Sequence, residues 1–239
     1  QPRRARPPRD DLVAPRPRRA DGGQTNALDR NPAQVQRVRA ITQRLIPHTA
    51  AFRPDAAKWP WEVHVVSIDE VNAWCMPGGK MAIYTGLLDK LKATDDEIAA
   101  VMGHEISHAL REHSRERASR QVGTQMAVGI AGALFGIGDL GQSLGNMVAD
   151  VTLNRPNSRT QEVEADRVGV ELAARAGFDP RAAITLWEKM QKVGGGQPPQ
   201  FLSTHPSHEN RINDLRAYSE RVLPLYQAAK AGGNASLGK

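Results

Sequence analysis

After the pair Asn31-Pro32, apolar residues recur at Val35, Val38, Ile41, Leu45 and Ile46, on one face of a helix that Pro47 stops. Asn31 suits the cap position and Pro32 the first turn, so a packed helix is predicted over about 32–46. The period then changes. WEVHVVSI (61–68) alternates and is rich in β-branched residues, while NAWCM (72–76) and KMAIY (80–84) flank Pro77-Gly78-Gly79. These runs predict a small antiparallel sheet with one hairpin.

Helical spacing returns with GLLDKL (86–91), a short helix. Thr94 and Glu97 form a capping box that opens a long helix through VMGHEISHAL to about Gln121. MAVGIAGALFGIG (126–138) is apolar throughout but is shorter than the roughly 18–20 residues a membrane span needs. It reads as a buried or lid-like segment, with contact to a membrane surface and a mobile loop as the alternatives. A second long helix is predicted from about Thr160 to Ala176, stopped by Gly177, and a third opens at Asp179-Pro180 and ends near Val193. GGGQPPQ (194–200) is a loop. Ser207 can cap a last helix that reaches about Gln227, kinked or broken at Pro224, and AGGNASLGK after it is expected to fray. The pattern as a whole is α+β and mainly helical.

Charge divides the chain unevenly. Residues 1–20 hold seven Arg, five Pro and two Asp, and little that can bury surface, so residues 1–28 read as a disordered Arg/Pro-rich leader. Beyond residue 20 there are 25 basic and 24 acidic side chains, so the net charge of +6 says little about the body of the protein. The leader has no aromatic residue interleaved for base stacking, and no specific nucleic acid is expected as a partner. Residues 29–227 form one expected domain, with about 124–156 as its lid or membrane-contact segment and 228–239 as a flexible tail. The single cysteine, Cys75, excludes an internal disulfide.

The chemistry centres on His104-Glu105-Ile106-Ser107-His108. Residues four apart on an α-helix are separated by about 40° around its axis, so His104 and His108 can present ring nitrogens to one metal ion. Glu105 is one position on, beside the ion, where it can take a proton from water that a zinc ion acidifies towards pKa ~7. A catalytic zinc also needs a third protein ligand. The metzincin pattern would place Gly at 111 and His at 114, where this chain has Arg111 and Ser114. His113 lies about 140° around an uninterrupted helix from His108 and is expected at the surface. QEVEAD (161–166) offers Glu162 and Asp166 on one helical face, with Glu164 about 200° away from Glu162. Glu162 can bind a metal while Asp166 accepts a hydrogen bond from a ligand imidazole. An acidic first turn that favours the helix dipole is the alternative.

With HEISH, SRTQEVEADRVG (158–169), STHPSHENRI (203–212) and NAWCMPGGKMAIYTGLL (72–88) in this order, the chain resembles the HtpX, Oma-type and CAAX-prenyl-endopeptidase family of gluzincin zinc metallopeptidases. Within that family it is most similar to the soluble, exported bacterial branch. The resemblance implies a zincin-like domain with one zinc ion held by His104, His108 and Glu162, and Asp166 as the partner of Glu162 in E-x-x-x-D. It also implies an edge strand, with Asn72, Ala73, Trp74 and Cys75, that pairs with an extended substrate backbone. Cys75 is then a small buried or cleft residue and not a nucleophile. His205 and Arg211 match family residues near the active site. Two roles fit His205: stabilising the oxyanion of the tetrahedral intermediate, or occupying the open zinc position. His208 is expected at the surface. Membrane-bound members of the family carry several transmembrane helices that this chain lacks, so their prenylated substrates are not carried over.

The expectation is a zinc endopeptidase acting on internal bonds of unfolded or misassembled polypeptides in protein quality control, in the bacterial periplasm or envelope. A start at Gln1 with no signal-like segment reads as a mature or trimmed chain. A membrane surface and outer-membrane assembly factors are the further candidate partners. The competing expectation is an envelope chaperone or assembly factor whose zinc site is latent, blocked by His205.

Overall fold

Helix α1 (Pro32–Leu45) begins where Asn31 caps it, the Asn31 side chain accepting hydrogen bonds from the Ala33 and Gln34 backbone amides. Its inward face, Val35, Val38, Ile41 and Leu45, is the one the spacing predicted, and all four are buried. The structure, a computed structural model, describes residues 27–113, 116, 157–193, 199–208 and 210–236. The leader before residue 27, the apolar run 126–138 and most of the Gly-rich stretch 194–200 lie outside the described residues.

After two short 3-10 turns, Ile46–Ala51 and Ala56–Lys58, come β1 (Glu62–Val66), β2 (Ala73–Met76) and β3 (Lys80–Tyr84). The sheet is mixed, not antiparallel as expected. Its order is β1-β3-β2, with β2 and β3 joined as the predicted antiparallel hairpin and β1 running parallel to β3, Glu62 opposite Lys80 and Val66 opposite Tyr84. The difference lies in which strand is central. Burial alternates along β1 and β2, but Met81, Ala82 and Ile83 of β3 are buried in succession, as in a strand covered on both faces. The short connections 67–72 and 77–79 each reverse the chain, so with β3 between the other two β1 runs parallel to it. Gly78 and Gly79 turn the hairpin with φ of +89° each, and a Cβ on Gly79 would also lie 2.9 Å from the Trp61 ring.

The two edges of the sheet differ. Along β1, Leu28 makes an antiparallel bridge to Val66, the Asp29 amide donates to Val65 O and the Ser67 amide donates to Ala27 O. The Asp29 carboxylate also accepts from the Val65 amide and contacts His64. Among the described residues no strand pairs with the outer side of β2.

Six helices complete the described fold after the sheet: α2 (Thr85–Lys90), α3 (Asp95–Leu110), α4 (Arg159–Arg175), α5 (Ala182–Val193), α6 (Gln200–Thr204) and α7 (Arg211–Ser236). Thr94 and Glu97 form the predicted capping box of α3. Ser158 and Gln161 form a second one on α4, unnoticed in the sequence. Gly177 follows α4 with φ +77°, the left-handed conformation expected just past a helix end. Helix α6 falls at the end of the predicted loop, and α7 keeps Pro224 inside it and continues to Ser236, past the expected end near Gln227.

Helix α3 is buried along nearly its whole length, and its main partner is α4. The two backbones touch at glycines: a Cβ on Gly103 would lie 2.8 Å from Gly169 O, and one on Gly169 would lie 2.7 Å from His104 N. Neither contact can be relieved by a side-chain rotation, because both involve backbone. Gly169→Ala is therefore expected to separate the helices beside His104 and destabilise the protein by about 1–3 kcal/mol. Thermal melting with and without zinc checks this, and the loss of zinc affinity should accompany the lower midpoint.

Candidate metal centre

Four elements converge on one buried point. Helix α3 supplies His104, Glu105 and His108, α4 supplies Glu162 and Asp166, the turn after α6 supplies His205, and the first residue of α7 is Arg211. All seven side chains are buried. The helical phase of α3 sets the first pair, with His104 Nε2 and His108 Nε2 3.1 Å apart. Glu162 Oε1 lies 3.3 Å from His108 Nε2, and Glu162 Oε2 lies 3.5 Å from His104 Nε2. His205 Nδ1 is 3.2 Å from His104 Nε2 and 3.1 Å from Glu162 Oε1.

These spacings fit a tetrahedral ion. Zinc–ligand bonds of about 2.0–2.1 Å place neighbouring donors about 3.3–3.4 Å apart. His104, His108, Glu162 and His205 each offer a donor atom, and all four atoms lie within 4.8 Å of one another. Three imidazole nitrogens and a carboxylate are a donor set that suits zinc. Glu105 is not among the four. Its Oε1 lies 3.4 Å from His205 Nε2, so His205 faces the donor cluster with one ring nitrogen and the glutamate with the other.

A surrounding layer orients these groups. Asp166 Oδ1 is 3.0 Å from His104 Nδ1 and accepts a 2.6 Å hydrogen bond from Arg211 Nη2. The same Arg211 nitrogen lies 3.1 Å from Glu162 Oε2, and the guanidinium stacks 3.3 Å from the centre of the Trp187 ring. Arg211 thus ties the two acidic residues of α4 together. It also donates to Pro206 O, next to His205. Burial opposes the charge on Glu162, but His205, His104 and His108 outweigh it and hold the carboxylate ionised, far below the usual range. Burial likewise opposes charging His104, yet Asp166 and Glu162 push its pKa up to about 9. For His108, burial dominates and depresses the pKa well below that of a free imidazole.

His113 is not at the surface. Helix α3 ends at Leu110, short of the predicted Gln121, and Glu112 adopts φ +52°. The break redirects the chain, so the helical phase that placed His113 away from His108 no longer applies. His113 is buried, with its Nδ1 2.8 Å from His108 Nδ1 and its Nε2 3.3 Å from Glu164 Oε2. No Gly or Pro marks this break in the sequence. Asn157 was missed too: it is buried just before α4, with Nδ2 3.1 Å from His205 Nδ1 and its backbone amide donating to Thr204 O. His208, expected at the surface, is half-buried.

The proposed substrate strand lies beside this cluster. β2 packs on α3, with Ala73 and Cys75 buried against the core and Trp74 half-buried on the opposite face. Asn72, just before it, accepts the Tyr84 amide with its carbonyl, and its side chain accepts from the Ala73 amide. Burial raises the Cys75 thiol pKa well above its usual value, and the charge of Glu105 adds to the shift. Such a thiol is not a nucleophile.

A model of peptidase family M48 matches residues 32–219, a span that includes every residue of the cluster. The chain belongs to peptidase family M48. Among M48 relatives, the mitochondrial metalloendopeptidase OMA1 of Arabidopsis thaliana is 39% identical over 174 residues, which cover 72% of this chain and 35% of that protein. The OMA1 metalloendopeptidase of Bos taurus is 34% identical over 213 residues, 82% of this chain and 39% of the relative. The β-barrel assembly-enhancing protease of Escherichia coli is 29% identical over 211 residues, 83% and 41% of the two chains. The chain therefore spans well under half the length of these M48 relatives. No helix among the described residues is long and apolar enough to cross a membrane.

Proposed function

We propose that this chain is a zinc-dependent endopeptidase that hydrolyses internal peptide bonds of unfolded or misassembled proteins. The observation that carries the reading is the convergence of donor atoms of His104, His108, Glu162 and His205 within 4.8 Å of one another, with Glu105 beside them. Bound there, zinc would supply Lewis acidity to the scissile carbonyl and lower the pKa of water. Glu105 accepts a proton from the attacking water and returns it to the leaving amine. Asp166 faces His104 Nδ1 and can accept a hydrogen bond from its N–H, which keeps the ring proton on Nδ1 and leaves the Nε2 lone pair free to ligate. Arg211 holds Glu162 and Asp166 in register. The outer edge of β2 aligns an extended substrate, Asn72, Ala73, Trp74 and Cys75 forming the contact.

His205 closes the site in this arrangement. Its Nδ1 lies among the donors and its Nε2 faces Glu105, so a zinc ion bound there would take His205 as a fourth ligand, which water and substrate would have to displace. This favours the second of the two roles considered for His205. It also gives weight to a second reading, an envelope chaperone or assembly factor whose zinc site is latent.

The similarity to the E. coli β-barrel assembly-enhancing protease supports a place in the bacterial periplasm or envelope, in protein quality control, with outer-membrane assembly factors as partners. The experiment uses the zinc-loaded chain with casein as an unfolded substrate. Chelator-sensitive cleavage is expected, and His205→Ala is expected to raise it by about tenfold, the equivalent of removing ~1.4 kcal/mol of competition for the fourth position. Intact casein with both the parent and His205→Ala, each carrying zinc, would overturn the endopeptidase reading.

A further inference from the structure

His104 and His108 are held from behind in different ways. His104 turns Nδ1 towards a carboxylate, Asp166, the usual arrangement for a metal-binding histidine. Behind His108 stands a second imidazole, with the two Nδ1 atoms 2.8 Å apart. A contact this short between ring nitrogens requires one to carry the proton and the other the lone pair. Ligation through His108 Nε2 settles which. The ring then carries its proton on Nδ1 and donates it, so His113 Nδ1 is the acceptor and the His113 proton sits on Nε2. That atom lies 3.3 Å from Glu164 Oε2. Glu164 Oε1 is in turn held by Arg111 Nε at 2.9 Å.

We propose that His113 and Glu164 are positioning residues for the metal centre, forming a chain Glu164–His113–His108 that fixes the tautomer and ring plane of His108. The left-handed residue Glu112 is part of the device, because it ends α3 and folds His113 back under His108. Arg53 braces the turn, donating to Leu110 O and to Glu112 Oε1. Glu164 was set aside in the sequence because it points away from the face of Glu162, and that same direction lets it reach His113 from outside the donor cluster. The proposal rests on the reading that His108 binds zinc through Nε2.

The test measures zinc affinity of the full chain by competition with a chromophoric chelator, alongside melting of the metal-free protein. His113→Phe keeps a ring but cannot accept a hydrogen bond, and it is expected to weaken zinc binding about 10–100-fold. Glu164 is partly exposed, so Glu164→Ala leaves the fold intact and is expected to weaken binding in the same direction by a smaller factor. His113→Gln, whose side-chain oxygen can accept, is expected to recover part of the loss. The double variant should bind as His113→Phe does, because Glu164 acts only through His113. Zinc affinity within twofold of the parent in Glu164→Ala, or in a folded His113→Phe, would overturn the proposal, as would fully additive losses in the double variant. If the parent itself bound no zinc, the underlying metal-site reading would fail, and the proposal with it.

Discussion

Glu105→Gln is expected to lower kcat/KM for an unfolded protein substrate by about 10²–10⁴-fold while the chain still binds one zinc ion. Glu105 is buried beside the donor cluster without belonging to it, so the substitution removes a proton acceptor and no ligand. The amide is nearly the same size and can keep an oxygen where Glu105 Oε1 faces His205 Nε2 at 3.4 Å. Packing and metal content should therefore be unchanged. Steady-state cleavage of a fluorogenic casein, with zinc measured on the same sample, separates loss of the base from loss of the metal. A variant that retains zinc and cleaves at the parental rate would remove Glu105 from the mechanism.

Glu162→Ala should have the largest effect on the metal and on the fold together. The Glu162 side chain is fully buried and is the only carboxylate of the four-residue donor cluster, facing three histidines and Arg211. Its removal takes away a ligand, so zinc affinity is expected to fall by more than the ~10–100-fold caused by losing an outer hydrogen-bond partner. It also leaves the buried Arg211 guanidinium with one carboxylate, Asp166, in place of two. Breaking a buried ion pair from one side typically costs about 3–5 kcal/mol, so the metal-free variant is expected to melt at a clearly lower temperature than the metal-free parent. Glu162→Gln separates the two effects, since it keeps the volume but not the charge. Equal melting of parent and Glu162→Ala without metal would show that Arg211 does not depend on Glu162.

Much of this site could be read from spacing because it is built on helices. His104 and His108 are one turn apart on α3, Glu162 and Asp166 one turn apart on α4, and helical phase alone places each pair on a face. What phase does not show is where a helix stops. Leu110 ends α3 with neither Gly nor Pro to announce it, and extrapolating the helix across Glu112 sent His113 to the wrong side. The sheet erred for a related reason. Alternation shows which face of a strand is buried but not its neighbour, and the clue that KMAIY is central was its unbroken apolar stretch. Asn157 left no signal, because its role depends on the Thr204–His205 turn folding against the start of α4.

The burial of the two edges of the sheet could not be read in advance either. Ala27–Asp29 cover β1, which leaves β2 as the unpaired edge among the described residues.

The most direct test is a crystal structure of the zinc-loaded chain with anomalous data collected across the zinc absorption edge. The account predicts one strong anomalous peak bonded to His104 Nε2, His108 Nε2, a carboxylate oxygen of Glu162 and, without substrate, His205 Nδ1, with Glu105 beside the ion and not bonded to it. A zinc ion held by a different set of residues, or by Glu105 in place of Glu162, would contradict it.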